Sequence, residues 1–98
     1  MAEHPGIAFK DGPSGRRAAL ALGPDVWEVV KAAREMDERG DAAMQAVADL
    51  LNLTDEQVRV ALRYYADHRG EVDAEVALAE EESVRAEEAW LIQQRILA

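Results

Sequence analysis

Hydrophobic and polar positions divide the chain into a short extended arm followed by a succession of helical stretches. Ile7, Ala8 and Phe9 precede the turn-rich stretch Lys10-Asp11-Gly12-Pro13-Ser14-Gly15, and an apolar run resumes from Arg17 to Leu22. That arrangement predicts a hairpin or extended arm closed by a loop of about six residues. Gly23-Pro24-Asp25 then opens a first helix, because proline is tolerated in a first turn and Asp25 and Glu28 suit the positive end of the helix dipole. Val26, Val29, Val30, Ala33 and Met36 recur at helical spacing, Trp27 lies off the centre of that stripe, and the helix is expected to reach about Arg39, with Gly40 ending it. Asp41 would cap a second helix from Ala42 to about Leu51, with Met44, Val47, Ala48 and Leu51 on one face. After a turn at Asn52-Leu53, Thr54 and Gln57 form a capping box, so a third helix starts there and runs to about Arg69. Its expected buried stripe is Val58, Ala61, Leu62 and Tyr65. Tyr64 and Tyr65 point about 100° apart, which sends one to the core and the other to the surface.

From Glu71 to the last residue there is neither proline nor glycine, and the pattern is helical throughout. Such a helix spans roughly 40 Å, whereas a compact domain of this length has a radius of gyration of about 13 Å, so the helix should overhang its own core. The stripe Val72, Val76, Ala79, Ser83, Ala86, Trp90, Leu97 is thin in the middle and rich at the end. Within Trp90-Leu91-Ile92 and Ile96-Leu97 the apolar side chains spread around much of the circumference, and a helix that is apolar on several sides needs cover on several sides. The expected fold is therefore mainly α: a short N-terminal β-hairpin or arm, a three-helix core containing a helix-turn-helix, and a long C-terminal helix. Residues 1–70 form the arm and core, and 71–98 form an acidic, partner-binding helix.

Charge sharpens this division. The 98 residues carry a formal net charge of −9. Residues 1–34 hold five basic and four acidic groups, 35–70 four and eight, and 71–98 two and eight, so the C-terminal third is the most acidic part. An acidic chain is poorly suited to coating nucleic acid or anionic membrane non-specifically, so any DNA contact must be local. A hydrophobic content of 49% is enough for one modest core. Without cysteine there are no disulfides, thiolate metal sites or thiol chemistry, which agrees with a reducing cytoplasm. The N-terminal residues lack the basic flank and apolar run of a signal peptide, and no stretch approaches the roughly 18 apolar residues of a membrane span. The expectation is a cytoplasmic protein with no membrane contact.

Few residues suggest chemistry. The second and third helices have the proportions of a helix-turn-helix, and Arg59 and Arg63 share a solvent face one turn apart, where arginine could contact guanine or phosphate. Asp55 and Glu56 in the same first turn oppose phosphate, and an ordinary three-helix core with solvated arginines fits the same pattern. Lys10, Arg16 and Arg17 flank the glycine-rich turn and could touch a DNA backbone or a second subunit, but the spacing of a phosphate-binding loop is absent. Glu80, Glu81, Glu82, Glu87 and Glu88 read as a solvated face, with Glu81 and Glu82 placed to pair with Arg85. Glu71, Asp73 and Glu75 alternate as calcium ligands do, without the loop glycine or the twelfth-position glutamate. His4 falls in an N-terminal tail and His68 near a helix C-terminus, neither with a nucleophile or metal-ligand neighbour at a recognised spacing. No catalytic residue, metal or cofactor is expected, and an enzyme is the least favoured class. Trp90 reads as an interface anchor.

His4-Pro5-Gly6-Ile7, Asp11-Gly12-Pro13, Gly15-Arg16-Arg17, Gly23-Pro24-Asp25-Val26-Trp27-Glu28-Val29-Val30, and Leu53-Thr54 with Val58, Ala61, Leu62, Tyr64 and Tyr65 together resemble the small bacterial antitoxins of VapB type. The resemblance covers most of the chain up to about Asp73. It implies a protein that neutralises a PIN-domain ribonuclease toxin of a toxin–antitoxin system and, as a homodimer, binds operator DNA as a transcription repressor of its own operon. Under it, Arg16, Arg17, Arg59 and Arg63 are the DNA-binding candidates, and Arg85, Trp90, Leu91, Ile92, Arg95 and Ile96 the toxin-binding ones. Arg85 or Arg95 would meet the carboxylates that hold Mg²⁺ or Mn²⁺ in a PIN site, while Trp90, Ile92 and Ile96 fill an apolar groove. The tails of such antitoxins are often disordered when free, whereas this one reads as well-formed helix. The competing expectation is a stand-alone dimeric helix-turn-helix regulator whose last helix is a dimerisation arm.

Overall fold

The computed structural model describes residues 4–12 and 15–98. Strand β1 (Ile7–Gly12) pairs antiparallel with β2 (Gly15–Leu20), and the helices α1 (Val26–Glu35), α2 (Gly40–Leu51), α3 (Asp55–Asp67) and α4 (Arg69–Leu97) follow. The fold is mainly α, with an N-terminal hairpin and a long C-terminal helix, as the pattern predicts.

The hairpin is longer than expected. Lys10, Asp11 and Gly12, assigned above to the loop, continue β1, with Lys10 opposite Arg17 and Asp11 opposite Arg16. Backbone pairing and an opposite-charge cross-strand pair favour extension over an early turn. Pro13 and Ser14 of the expected loop lie outside the described residues. At the other end β2 stops at Leu20, two residues early, because the chain reverses at once: the Gly23 N–H donates to the Leu20 carbonyl at 3.0 Å, and the Leu20 N–H to the Pro24 carbonyl at 2.9 Å. The turn puts Leu22 in the left-handed region at φ 57°, fully exposed. Gly6 anchors the start of the arm at φ 93°, and a Cβ there would lie 3.2 Å from Val60, so the site favours glycine on both counts.

Asp25 caps α1 and Pro24 stands just before the cap; the Asp25 N–H donates to the Glu28 carboxylate at 3.1 Å. The helix ends at Glu35, about a turn before the expected Arg39, and Met36 is already extended. Asp37, Glu38 and Arg39 have no apolar surface to bury, so nothing holds a further turn. Gly40 therefore begins α2 at φ 59° instead of closing α1, and Arg39 occupies the cap position expected for Asp41. Asn52 closes α2 in the left-handed conformation. The capping box of α3 forms as predicted: the Gln57 N–H donates to Thr54 Oγ1 at 3.1 Å, and the Thr54 N–H to Gln57 Oε1 at 2.8 Å.

The break between α3 and α4 lies at His68, and Gly70 sits inside the first turn of α4. The His68 N–H reaches the Tyr64 and Tyr65 carbonyls at 3.0 and 3.2 Å, while its ring stacks on Tyr64 with centroids 4.3 Å apart. These contacts fix the hinge on a side chain rather than on the glycine. The tyrosines are reversed relative to the expected stripe: Tyr64 is buried and Tyr65 half-buried. Tyr64 packs edge-on to His4 and Phe9. His4, expected in a free tail, is half-buried against Tyr64 and 3.1 Å from Asp67.

The core is built from Leu20 of β2, Val26, Val29 and Val30 of α1, Val47 and Ala48 of α2, Val58, Ala61 and Tyr64 of α3, and Val72 and Val76 of α4. Alanine and valine dominate, so each side chain contributes little, about 1.5 kcal/mol for a fully buried valine. Because Val72 and Val76 belong to this core, the folded unit extends past residue 70 into the first turns of α4.

Candidate partner-binding surface

Helix α4 leaves the core gradually. At its base Val72 and Val76 are buried, and a cluster on the next face clips it to α1 and α3: Arg34 donates to Asp73 and to the Tyr65 hydroxyl, at 2.9 Å for the latter, while the Tyr65 hydroxyl donates to Asp73 at 2.9 Å. The hydrogen bond from Tyr65, followed by that from Arg34, holds the Asp73 carboxyl below the usual carboxylate range. Ala79 is the last half-buried residue; every residue from Glu80 to Ala98 is exposed.

The overhang sets the shape of the molecule. A 29-residue helix is about 44 Å long, the chain measures 52 × 32 × 23 Å, and its radius of gyration is 15.6 Å against about 13 Å for a compact chain of this length. On the overhang Trp90 is 56% exposed, Ile92 54%, and Ile96 and Leu97 78% each. Leu91 and Val84 are also exposed. Singly exposed apolar residues are ordinary; here they are gathered on one helix end.

Where α4 diverges from the body it opens a groove of about 600 Å³. One wall is Trp27 of α1 with Leu50 and Leu51 at the end of α2, and the other is the small-residue face Ala79, Ser83 and Ala86. Glu28, Glu35 and Glu82 edge the groove, with Lys31 paired to Glu35.

The base of α4 also borders a polar hub. Asp25, 5% exposed, accepts from Arg17 Nε at 2.6 Å and from Trp27 Nε1 at 3.1 Å, and Lys10 Nζ lies 3.3 Å away. Burial alone would raise its pKa; the hydrogen bonds and charges of Arg17 and Lys10 outweigh that and hold the carboxyl below its ordinary value. Glu75 has no such partners. Burial, then the charges of Glu71 and Asp25, push its pKa up, and its Oε2 atom is buried without a hydrogen bond. Tyr64 is pushed up to about 12 by burial and by its hydrogen bond to Glu71.

The chain matches no protein-family model, no curated protein and no solved structure.

The structure separates the candidate residues into groups. Arg17 is held by Asp25, with its side chain 28% exposed, which makes it part of the hub that fastens the hairpin to α1. Arg16 is exposed and lies over the Phe9 ring at 4.2 Å. On α3, Arg63 donates to Glu56 at 2.9 Å, whereas Arg59 is exposed and forms no ion pair with a described residue. On the overhang Arg85 donates to Glu81 at 2.7 Å, one turn back, and Arg95 forms no ion pair with a described residue. Trp90, Leu91, Ile92 and Ile96 share the exposed end with Arg95. Of the groove wall, the sequence pattern singles out Trp27, off the α1 stripe, Leu51 on the α2 face, and Ala79, Ser83 and Ala86 on α4, but not Leu50, an apolar residue off the buried stripe of α2 that is 64% exposed.

Among the described residues no group of three or more His, Asp or Glu side chains converges to hold a metal, and no helix is long and apolar enough to cross a membrane.

Proposed function

We propose that the chain is a cytoplasmic antitoxin-type interaction protein that neutralises a PIN-like ribonuclease by docking the end of α4 on it. The observation that carries this reading is the exposed helix from Glu80 to Ala98 with its cluster of large apolar side chains, which no other described residue covers. A helix laid into a groove is a recurrent mode of protein recognition, and a large aromatic in the docking face is the usual anchor. The resemblance to VapB-type antitoxins supplies the class of partner.

Within this reading Trp90, Leu91, Ile92 and Ile96 fill an apolar groove on the toxin, and Arg95 reaches its carboxylate cluster. Arg95 is preferred over Arg85 because Arg85 already donates to Glu81. The toxin-binding element begins near residue 80, since Val72 and Val76 hold the core together. A dimer of the chain would bind its operator through Arg59, with Arg16 and Arg63 as flanking contacts. Arg17 is the weakest DNA candidate, given its pairing with Asp25.

The test is an RNA-cleavage assay on the product of the adjacent reading frame. Full-length chain should inhibit cleavage at about one-to-one stoichiometry, and Trp90→Ala with Arg95→Glu should abolish inhibition while leaving the fold intact. Unchanged inhibition by that double variant would overturn the docking role of the helix end.

A further inference from the structure

Heptad spacing on α4 continues past the core without interruption. Val72, Val76, Ala79, Ser83, Ala86, Trp90, Gln93 and Leu97 follow one another at alternating four- and three-residue steps. Such a seam is the one that helices use when they pair along their length. Its first two members are buried in the chain's own core, and beyond the half-buried Ala79 the rest are exposed among the described residues. From Ala79 to Leu97 the seam is about 27 Å long.

We infer that in the free protein this seam pairs with the same seam of a second copy, antiparallel, about a two-fold axis near Glu88. Size decides the direction. In the antiparallel register Trp90 of one copy meets Ala86 of the other, Leu97 meets Ala79, and Ser83 meets Gln93, so each large side chain faces a small one. In a parallel pair Trp90 would meet Trp90 and Ala86 would meet Ala86, which crowds one layer and empties the next.

Charge points the same way. Glu80, Glu81, Glu82, Glu87 and Glu88 precede a tip whose one charged side chain is Arg95. A parallel pair would stack each acidic run on its own copy. The antiparallel pair instead carries the tip of one copy to the base of the other's overhang, setting Glu80 and Glu82 beside the uncharged Gln94 and Ile96, and brings Leu97 into the groove walled by Trp27, Leu50 and Leu51. Glu87 then faces its own copy near the axis, and that repulsion keeps the pair weak. The groove and the exposed tip are thus two halves of one interface, and any heterologous partner of the tip must displace the second copy. The pairing itself does not depend on who that partner is.

The experiment uses the full chain alone, exploiting its lack of cysteine. Sedimentation equilibrium should show a reversible dimer, and Trp90→Ala should weaken it on the order of thirtyfold, the effect of losing a central aromatic anchor. Trp90 lies outside the core, so that variant keeps its thermal midpoint. Ser83→Cys and Gln93→Cys chains should form a disulfide-linked dimer when mixed and oxidised, and little when oxidised separately. A monomer at all concentrations, a dimer indifferent to Trp90→Ala, or links within each separate cysteine variant would overturn the proposal.

Discussion

Asp25 and Glu75 are two carboxylates near one another with opposite fates, and the difference lies in their partners. Asp25 collects Arg17, Lys10 and the Trp27 indole, so its charge is favoured in the folded state despite burial. A carboxyl with a lowered folded pKa contributes stability above its unfolded value and loses it as pH falls through the folded one, so this contribution disappears only at the acid end. Asp25→Asn should lower the stability at pH 7 and make little difference at the acid end, where the Asp25 carboxyl is protonated as well; chemical denaturation followed by circular dichroism at the two pH values measures it. Glu75 has the opposite sign. Its folded pKa is raised above the ordinary 4.5, so the stability of its protonated form is present at low pH and lost as pH rises through the folded value. Glu75→Gln should therefore raise the unfolding midpoint at pH 7, with the advantage vanishing near pH 4. A gain that is equal at both pH values would contradict the cause. Leu22, exposed at φ 57°, makes a third case: Leu22→Gly removes a left-handed strain of about 1 kcal/mol, partly offset by the greater freedom of glycine in the unfolded chain, and should slightly raise the midpoint.

At the scale of elements, α4 is two things in one continuous helix. Its base, through Val76, is core, and its remainder rests on local stabilisation such as the Glu81–Arg85 pair. A chain ending at residue 79 should keep its unfolding midpoint within a few degrees of the full chain, whereas Val76→Ala in the full chain should cost about 2 kcal/mol by opening a cavity. In the monomer, at concentrations too low for pairing, amide exchange should be fast beyond residue 82, and it should slow along that segment as the concentration rises. Helix existence was legible because apolar spacing and the Thr54–Gln57 cap are local signals that the tertiary structure had no reason to override. Boundaries were less so. Gly40 and Gly70 read as breaks, yet the chain turns earlier, at Met36, where the apolar surface of α1 runs out, and at His68, stacked on Tyr64. The Tyr64–Tyr65 choice turned on which ring β1 and His4 would cover, a long-range fact that helix periodicity does not contain. The exposed tip was legible from composition alone, while the groove beside it needed the divergence of α4 from α1 and α2.

The whole molecule is a small valine-rich body with an acidic, apolar-ended rod projecting from it, 52 Å along its greatest extent. Its design makes sense if the body serves to hold the rod, and if cover for the rod comes from outside the chain. The most direct test is co-expression of the tagged chain with the product of the adjacent reading frame, comparing residues 1–98 with residues 1–79. The full chain should retain the partner through purification, and the shortened chain, folded by circular dichroism, should retain none. Equal retention by both would place the partner on the body and leave the overhanging helix without the role assigned to it.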